Sequence, residues 1–319
     1  MRPRAAGVVF GLLIAFVIVA PHLAPYDAGR QFPGYQYAPP MRPHMVDDAG
    51  QWRAPFAYTV RVVDPLERRY DEDRSRSIKG FQDPLPWFLF GSDALGRDVL
   101  SRVLIGTRLS LGLALLATVL ALSIGALVGA TAGYAGGWVD NTLMRIADLV
   151  LVLPGIYIVL ALRGTLPLVL TTTQVFVALA GVLALVGWPS AARGVRGIVI
   201  VEARKEYAEA AHALGAGWWR LITRHLLPAT RGFLMVQATL LVPAFIMAEA
   251  TLSFVGLGFA PPTPSWGVML LDAAAVQTAA DAPWLLAPAA AIVLTVLVVH
   301  ATTAGLDTLA DRNNAPNSL

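Results

Sequence analysis

Carboxylates in unusual surroundings are the first residues that need a chemical explanation. In EYAEAAHALGAGWWRLITRHLLP (206–228), Glu206 and Glu209 stand among alanines, and long apolar runs flank the whole stretch. Asp148, Gln237, Glu249 and His300 lie inside apolar runs, where an ionisable or polar side chain is costly and marks either a path or a paired anchor. Glu249 reads as a pathway wall that attracts a cationic group, or equally as a hydrogen-bond anchor between helices. Gln237 joins it as a pathway candidate. Asp148 is expected to pair with Arg145 three residues earlier. His300 is expected to be a packed polar residue, since no second His or carboxylate stands beside it at helical ligand spacing, and no metal site is expected. Catalytic chemistry finds no footing. The phosphate loop GxxxxGK[ST] does not occur, so this chain is not itself an ATPase, and neither HExxH nor GxSxG is present. A membrane-embedded hydrolase would need its polar residues to converge, and here they are scattered over separate apolar runs.

The elements that must position these groups are helical. Tyr207, Ala210, Ala211 and Leu214 fall at i, i+3, i+4 and i+7 and share one face of a short helix. Gly215 and Gly217 are expected to supply positive φ and stop it. A second amphipathic piece then places Trp218, Leu221 and Ile222 on one side and Arg220 and Arg224 on the other, with Pro228 at its end. Such a helix is shaped to dock into a groove on another protein; lying flat on lipid, helped by Trp218 and Trp219, is the plainer alternative.

The rest of the chain reads as membrane. Of its 319 residues 56% are hydrophobic and only 14% charged, against about 25% charged in ordinary soluble domains, and mean hydropathy is +0.61. The net charge of +3 comes with no basic stripe interleaved with aromatics, which argues against a nucleic-acid partner. The chain has no cysteine, so disulfides and thiol chemistry are excluded. Apolar segments at roughly 7–24, 108–133, 142–163, 173–190, 232–255 and 284–305 approach the roughly 20 residues that cross a bilayer. Gly125 and Gly129 stand at the small-xxx-small spacing that lets membrane helices pack closely. An all-α integral membrane protein with six transmembrane helices is therefore expected. Arg193, Arg196, Arg204, Lys205, Arg220, Arg224 and Arg231 share one short loop with the side that carries Arg2 and Arg4. The opposite short loops hold Arg163, Asp272 and Asp281, so both termini and 206–228 are expected in the cytoplasm. The first segment is read as a retained anchor; a cleaved signal peptide is the alternative.

Four regions follow: an N-terminal anchor (1–25), an extracytoplasmic loop or small subdomain (26–90), a membrane core (91–312) that includes a cytoplasmic loop (191–231), and a tail (313–319). In the second, AYTVRVVD (57–64) alternates as one or two short strands do. FGSDALGRDVLSRVLIGTRLSL (90–111) reads as an interfacial elbow built on Asp93, Gly96, Arg97 and Asp98, with Ser92 or Asp93 capping its helix. GLGFAPPTPSWGVML (256–270) reads as a re-entrant or outer element with Trp266 at the interface, or as a plain loop anchored by that residue.

Taken together these segments resemble a known family. Glu209-Ala210-Ala211, Gly215 and Leu227-Pro228 are similar to the EAA loop of bacterial ABC importer permeases. GSDALGRDVLSRVLIGTRLSL (91–111), GYAGGWVDNTLMRIADLVLVLP (133–154) and VQATLLVPAFIMAEATLSFVGLGFAPPTPSWGVML (236–270) narrow the likeness to the C-type subunit of the dipeptide, oligopeptide and nickel group. His225 stands where the family often has Ile, and the 26–90 loop is longer than in many relatives. HATTAGLDTLADR (300–312) keeps the closing pattern, although His300 and the threonines after it are unusual there.

The resemblance implies a type I ABC importer permease bundle with an extracytoplasmic insertion after its first helix, in the bacterial inner membrane. It implies a B-type permease as heterodimer partner, two ATPase subunits on the cytoplasmic face and an extracytoplasmic solute-binding protein, with no cofactor in this chain. By the same resemblance Glu206, Tyr207, Glu209, Ala210, Ala211, Leu214, Gly215, Leu227 and Pro228 make the ATPase contact. Peptides are the implied cargo; nickel chelates or another small solute are served by near-identical permeases. A secondary transporter driven by an ion gradient is the rival class.

Overall fold

A computed structural model describes residues 3–47, 50–64, 69–152, 155–165, 170–274 and 280–314. Arg2, most of the tail, and the side chains of Arg4, Arg163 and 302–314 lie outside the described residues. Helix α1 (Pro3–Val19) is apolar and runs on as a 3-10 turn, Ala20–Leu23. Three strands follow, β1 (His44–Val46), β2 (Trp52–Asp64) and β3 (Arg69–Ile78), paired antiparallel in the order β1-β2-β3. The expectation of an all-α chain with one or two short strands thus needs correction: the sheet is longer and three-stranded. The remaining elements are helical: α2 (Val99–Ala135), α3 (Gly137–Val152), α4 (Gly155–Gly164), α5 (Thr172–Glu202), α6 (Glu206–Ala213), α7 (Trp218–Leu221), α8 (Leu227–Ala229), α9 (Arg231–Phe254), α10 (Trp266–Asp272) and α11 (Ala287–Asn314).

Among the described residues four helical stretches are long and apolar enough to cross a membrane: Val99–Ala135, Thr172–Glu202, Arg231–Phe254 and Pro283–Ala301. Two of them are longer than the apolar runs suggested. Helix α2 starts at Val99 rather than near 108. Helix α5 passes through Pro189 and continues to Glu202, so residues 191–202 are helix and not loop. The expected span at 142–163 falls on α3 and α4, and that at 7–24 on α1 with its 3-10 extension.

The chain forms two compact units, one of residues 1–15, 111–249 and 295–319, the other of 16–110 and 250–294. In the first, α2 packs on α5 through a stripe of glycines. A Cβ on Gly125 would lie 2.6 Å from that of Ala191, one on Gly129 only 2.3 Å from the Ala192 carbonyl oxygen, and one on Gly133 2.8 Å from the Arg196 carbonyl oxygen. These are backbone-to-backbone approaches of the small-xxx-small kind. Gly129→Ala is therefore expected to destabilise by about 1–3 kcal/mol through overpacking, even though alanine in a free helical position gains up to about 1 kcal/mol over glycine. Gly197, with open space around its Cβ position, is the control. Thermal unfolding in mild detergent should show Gly129→Ala melting lower and Gly197→Ala melting no lower than the parent; equal melting would contradict the packing.

Helix α3 is tied to α5 by two ion pairs. Arg196 grips Asp140 through Nε and Nη2, and Arg193 reaches Asp148 through Nη2 and, at 3.1 Å, through Nε. Asp148 thus pairs across the helix contact, with Nε and Nη2 of Arg193 both reaching its Oδ1, and not with Arg145.

The second unit has its own aromatic core beneath the sheet. Tyr26, Phe32, Ala57, Ile78, Trp87 and Phe88 are buried together, with Tyr26–Phe32 and Phe32–Phe88 edge to face at 5.1 and 5.4 Å between ring centroids, the favoured geometry for aromatic pairs. The described residues of 26–90 include a packed core rather than forming only a solvated loop.

Candidate functional site

The docking helix expected from 206–214 is α6, and its placement follows from residues at both ends. At the start, Glu202 accepts from Lys205 Nζ at 2.7 Å and from Tyr207 Oη at 2.7 Å. Loss of water and then this bond to Glu202 push the Tyr207 hydroxyl up to about 12, so it stays a donor at any physiological pH. Beneath the helix, Ala208 is 2% exposed and packs with Ala130, Val195, Val199, Leu221, Ile222 and Leu226. Glu206, Tyr207, Glu209 and Ala210 face outward, and Leu214 is 89% exposed. The expected face divides: Ala211 is half-buried against the same cluster as Ala208, whereas Tyr207, Ala210 and Leu214 point away from it. Period alone groups the four; the supporting cluster, contributed by distant helices, decides which of them are covered.

The turn that follows is built on one glycine, not two. Gly215 has φ +81, and the N–H groups of Gly215 and Ala216 close back on the carbonyls of His212 and Ala211 at 2.9 and 3.0 Å, as in a left-handed helix cap. Gly217, expected to share that role, instead has φ −65 and precedes α7 as its N-cap. Trp218 and Trp219 are exposed with ring centroids 6.0 Å apart, while Leu221 and Ile222 are buried. Pro228 does not end this piece. A π turn (Ile222–Leu226) leads from α7 straight into α8, which holds Pro228, and the chain passes through Thr230 directly into α9. Leu227 and Pro228 are half-buried.

A second constellation lies in the other unit, at residues 92–102 and 272. It is a turn, not an elbow helix. Ser92 and Asp98 form an isolated bridge, and Gly96 has φ +72 with Phe32's carbonyl oxygen 2.4 Å from its Cβ position. Asp98, rather than Ser92 or Asp93, caps α2 by accepting from Ser101 N–H at 2.7 Å. Asp93 is instead the hub of buried charges. Its Oδ1 accepts from the N–H groups of Leu95 and Arg97 at 2.9 Å each, and its Oδ2 takes Arg97 Nε at 2.7 Å and Arg102 Nη1. Asp272 lies 3.5 Å from Arg102 and 3.8 Å from Arg97. Sequence reasoning missed Arg102 and Asp272; no local spacing links positions this far apart.

Burial pushes the Asp98 carboxyl up to about 6, against hydrogen bonds from Ser101 that pull it down. A raised carboxyl contributes most stability below the unfolded value of about 4, and that contribution disappears as pH rises through about 6. Asp98→Asn keeps the cap without the charge. Its melting temperature relative to the parent should climb between about pH 4 and 6 and then level; a difference that stays flat or falls with pH would contradict this.

Trp266, expected at an interface, is 1% exposed. Its backbone N–H donates to Ser110 Oγ and its indole N–H to the Val103 carbonyl, both at 3.0 Å, with Ser265 capping α10. The segment wedges into its unit's core because both polar groups of this residue find buried acceptors. Gln237 donates to Ser190 Oγ at 2.9 Å, joining α9 to α5, and Glu249 is completely buried in α9.

Long apolar helices packed through glycines, with a charged helix held out from them, define a multi-pass membrane protein. Residues 121–314 match the family described as binding-protein-dependent transport system inner membrane component, and residues 4–40 match the N-terminal TM domain of oligopeptide transport permease C. The chain is 36% identical to the oligopeptide transport system permease protein OppC of Bacillus subtilis over 77% of its own length and 79% of that protein's. It is 36% identical to the dipeptide permease DppC of the same organism over 82% and 80% of the two chains. With the glutathione transport system permease protein GsiD of Pectobacterium atrosepticum the identity is 32% over 95% and 84%. The chain belongs to the binding-protein-dependent transport system inner membrane component family.

Proposed function

We propose that this chain is the C-type permease of an ATP-driven importer of short peptides, coupled to its ATPases through α6. The relatives named for oligopeptide, dipeptide and glutathione transport support the cargo class. The observation that carries the coupling assignment is the outward face of Glu206, Tyr207, Glu209, Ala210 and Leu214, held off the protein by the buried Ala208. Ala210 lets a partner surface come close, Glu209 offers that surface a carboxylate, and Gly215 turns the chain back. Ala211, on α6 itself, and Leu227 are partly buried against the cluster that seats the helix, and Pro228 follows Leu227. Motion of the ATPases would pass through α6 to α5, because Glu202 at the end of α5 is bonded to Lys205 and Tyr207.

The full arrangement comprises six transmembrane helices, with both termini and α6 in the cytoplasm and the β1–β3 region as an extracytoplasmic insertion. The basic loop around α6 supports this orientation. Partners are a B-type permease, two ATPase subunits and a solute-binding protein, in a bacterial inner membrane. Gln237 and Glu249 stay candidates for the pathway; Glu249, buried within the chain, would reach it only on reorientation. Purification from membranes in mild detergent should bring down a second permease and ATPases, and proteoliposomes holding the complex should take up di- or tripeptides only with ATP and binding protein. Uptake driven by an ion gradient without ATP would identify a secondary transporter instead, and uptake of nickel chelates without peptides would move the cargo class.

A further inference from the structure

Between α3 and α5 lies a cleft of about 400 Å³ whose charges do not cancel. Asp140, Arg145, Asp148, Arg193 and Arg196 all line it. Arg196 closes on Asp140 and Arg193 on Asp148, each through Nε and Nη2, so both carboxylates are already answered. The Nη1 of each of these arginines has no partner among the described residues. Arg145 is exposed and makes no hydrogen bond or ion pair among the described residues. It is the excess cation of the cleft.

Helix α3 continues the cleft as a single stripe. Trp138, Arg145, Leu149 and Val152 fall within about 60° of one another around the helix, and Asn141, which also lines the cleft, borders them. Trp138, Leu149 and Val152 are 78%, 69% and 80% exposed. From the start of the helix the stripe runs aromatic, amide, cation, aliphatic. A phospholipid at a bilayer boundary has the same order from headgroup to acyl chain, and tryptophan favours the headgroup level. Val152 lies about 10 Å beyond Arg145 along the helix axis. Side chains on a helix tilt toward its N-terminus, which carries the guanidinium toward Trp138 and away from the aliphatic end. On α5, Arg193 and Arg196 come just after the apolar run 173–190. Basic pockets between membrane helices recruit anionic headgroups.

We propose that this cleft seats the headgroup of an anionic phospholipid, with its phosphate on Arg145 and the spare Nη1 of Arg193 and one acyl chain along Leu149 and Val152. A guanidinium matches phosphate with two parallel donors. A zwitterionic lipid would bring an ammonium beside the excess cation, and a carboxylate from a neighbouring protein would use the cation without needing the aliphatic end of the stripe. The site rests on the proposed span through α3 and α4, and is independent of the cargo and of the ATPase contact.

The test titrates the purified protein, with the subunits that accompany it, in neutral detergent with dioleoyl phosphatidylglycerol and dioleoyl phosphatidylcholine, read by native mass spectrometry. Phosphatidylglycerol is expected to bind at least about fivefold more tightly. Arg145→Gln should lose about that factor, the effect of one basic side chain near an anionic headgroup. Arg220→Gln, exposed and outside the cleft, should bind as the parent does, and circular dichroism checks that both variants fold. Equal binding of the two lipids, unchanged binding by Arg145→Gln or an equal loss in Arg220→Gln would overturn the site. So would competition by glycerophosphoglycerol, the headgroup without chains, at the strength of the intact lipid, which marks a free-phosphate site. Unchanged lipid binding with loss of a companion subunit from Arg145→Gln would give the cleft to a protein instead. Labelling of Leu149→Cys by a membrane-impermeant maleimide is measured alongside in sealed vesicles of both orientations. Protection there with equal binding of the two lipids removes the lipid site alone, whereas ready labelling removes the span through α3 on which the site depends.

Discussion

Asp93→Asn costs the permease about 3–5 kcal/mol of stability, the loss expected when one partner of a buried ion pair is neutralised. The change is nearly isosteric and keeps an oxygen for the N–H groups of Leu95 and Arg97, so the effect isolates the charge. Asp93 is 3% exposed at its side chain and serves Arg97 and Arg102, which are 6% and 2% exposed. Without its charge, two buried guanidinium groups depend on Asp272 at 3.5–3.8 Å, and Asp272 is 32% exposed. Among the described residues the Nε and Nη2 of Arg102 are buried without a hydrogen-bond partner. Asp272→Asn, at longer range and closer to water, should cost only about 1 kcal/mol. Thermal unfolding of the detergent-purified permease separates the two. If the Asp272 variant melts at or below the Asp93 variant, the hub has been misassigned.

Glu209→Arg should leave the protein folded, in the membrane and at normal abundance, while ATP-driven peptide uptake falls by tenfold or more. The side chain is exposed and makes no contact that supports α6, whose anchorage is Ala208 and the Glu202 bonds to Lys205 and Tyr207. On the coupling proposed above the loss belongs to the partner, since a reversed charge facing a basic groove would cost several kcal/mol of association. Gly215 offers a second, conformational probe. Its Cβ position is open, so side-chain bulk meets nothing within 4 Å, but φ +81 is left-handed. A β-branched residue is strained there by about 1–2 kcal/mol or more, whereas asparagine tolerates it. Gly215→Val should impair uptake and Gly215→Asn should largely preserve it. Similar uptake by the two would mean that the turn does not position α6.

The helix–Gly–helix layout of 206–228 was legible because its signals are local: alanines at helical spacing, a glycine at the stop, arginines outside a span. The family was legible for a related reason, since its four motifs keep their order along the chain. What could not be read was set by distant partners. Ala208, the residue that seats α6, looks like any alanine until the α2, α5 and α7 residues around it are known. Asp148 had a plausible partner one turn away and took Arg193 instead. Asp98 took the cap expected of Ser92 or Asp93, because capping follows from where the chain becomes helical, just after the Ser92–Asp98 bridge. Strand β3, RYDEDRSRSI, carries too much charge to alternate visibly, and only Tyr70 and Ile78 join the core. Trp266 misled for the opposite reason: tryptophan close after three prolines suits an interface, but Ser110 and Val103 supply the acceptors that let it be buried.

The central claim is that the outward face of α6 touches an ATPase. The chain contains no cysteine, so a single Leu214→Cys carries a photo-activated crosslinker at one defined place on that face. Val293→Cys, exposed on the apolar stretch 283–301, carries the same reagent as control. In membranes holding the assembled transporter, illumination should give an adduct between this chain and an ATPase subunit from position 214, changing in yield when ATP is added, and none from position 293. No ATPase adduct from 214, or the same adduct from both positions, would contradict the account.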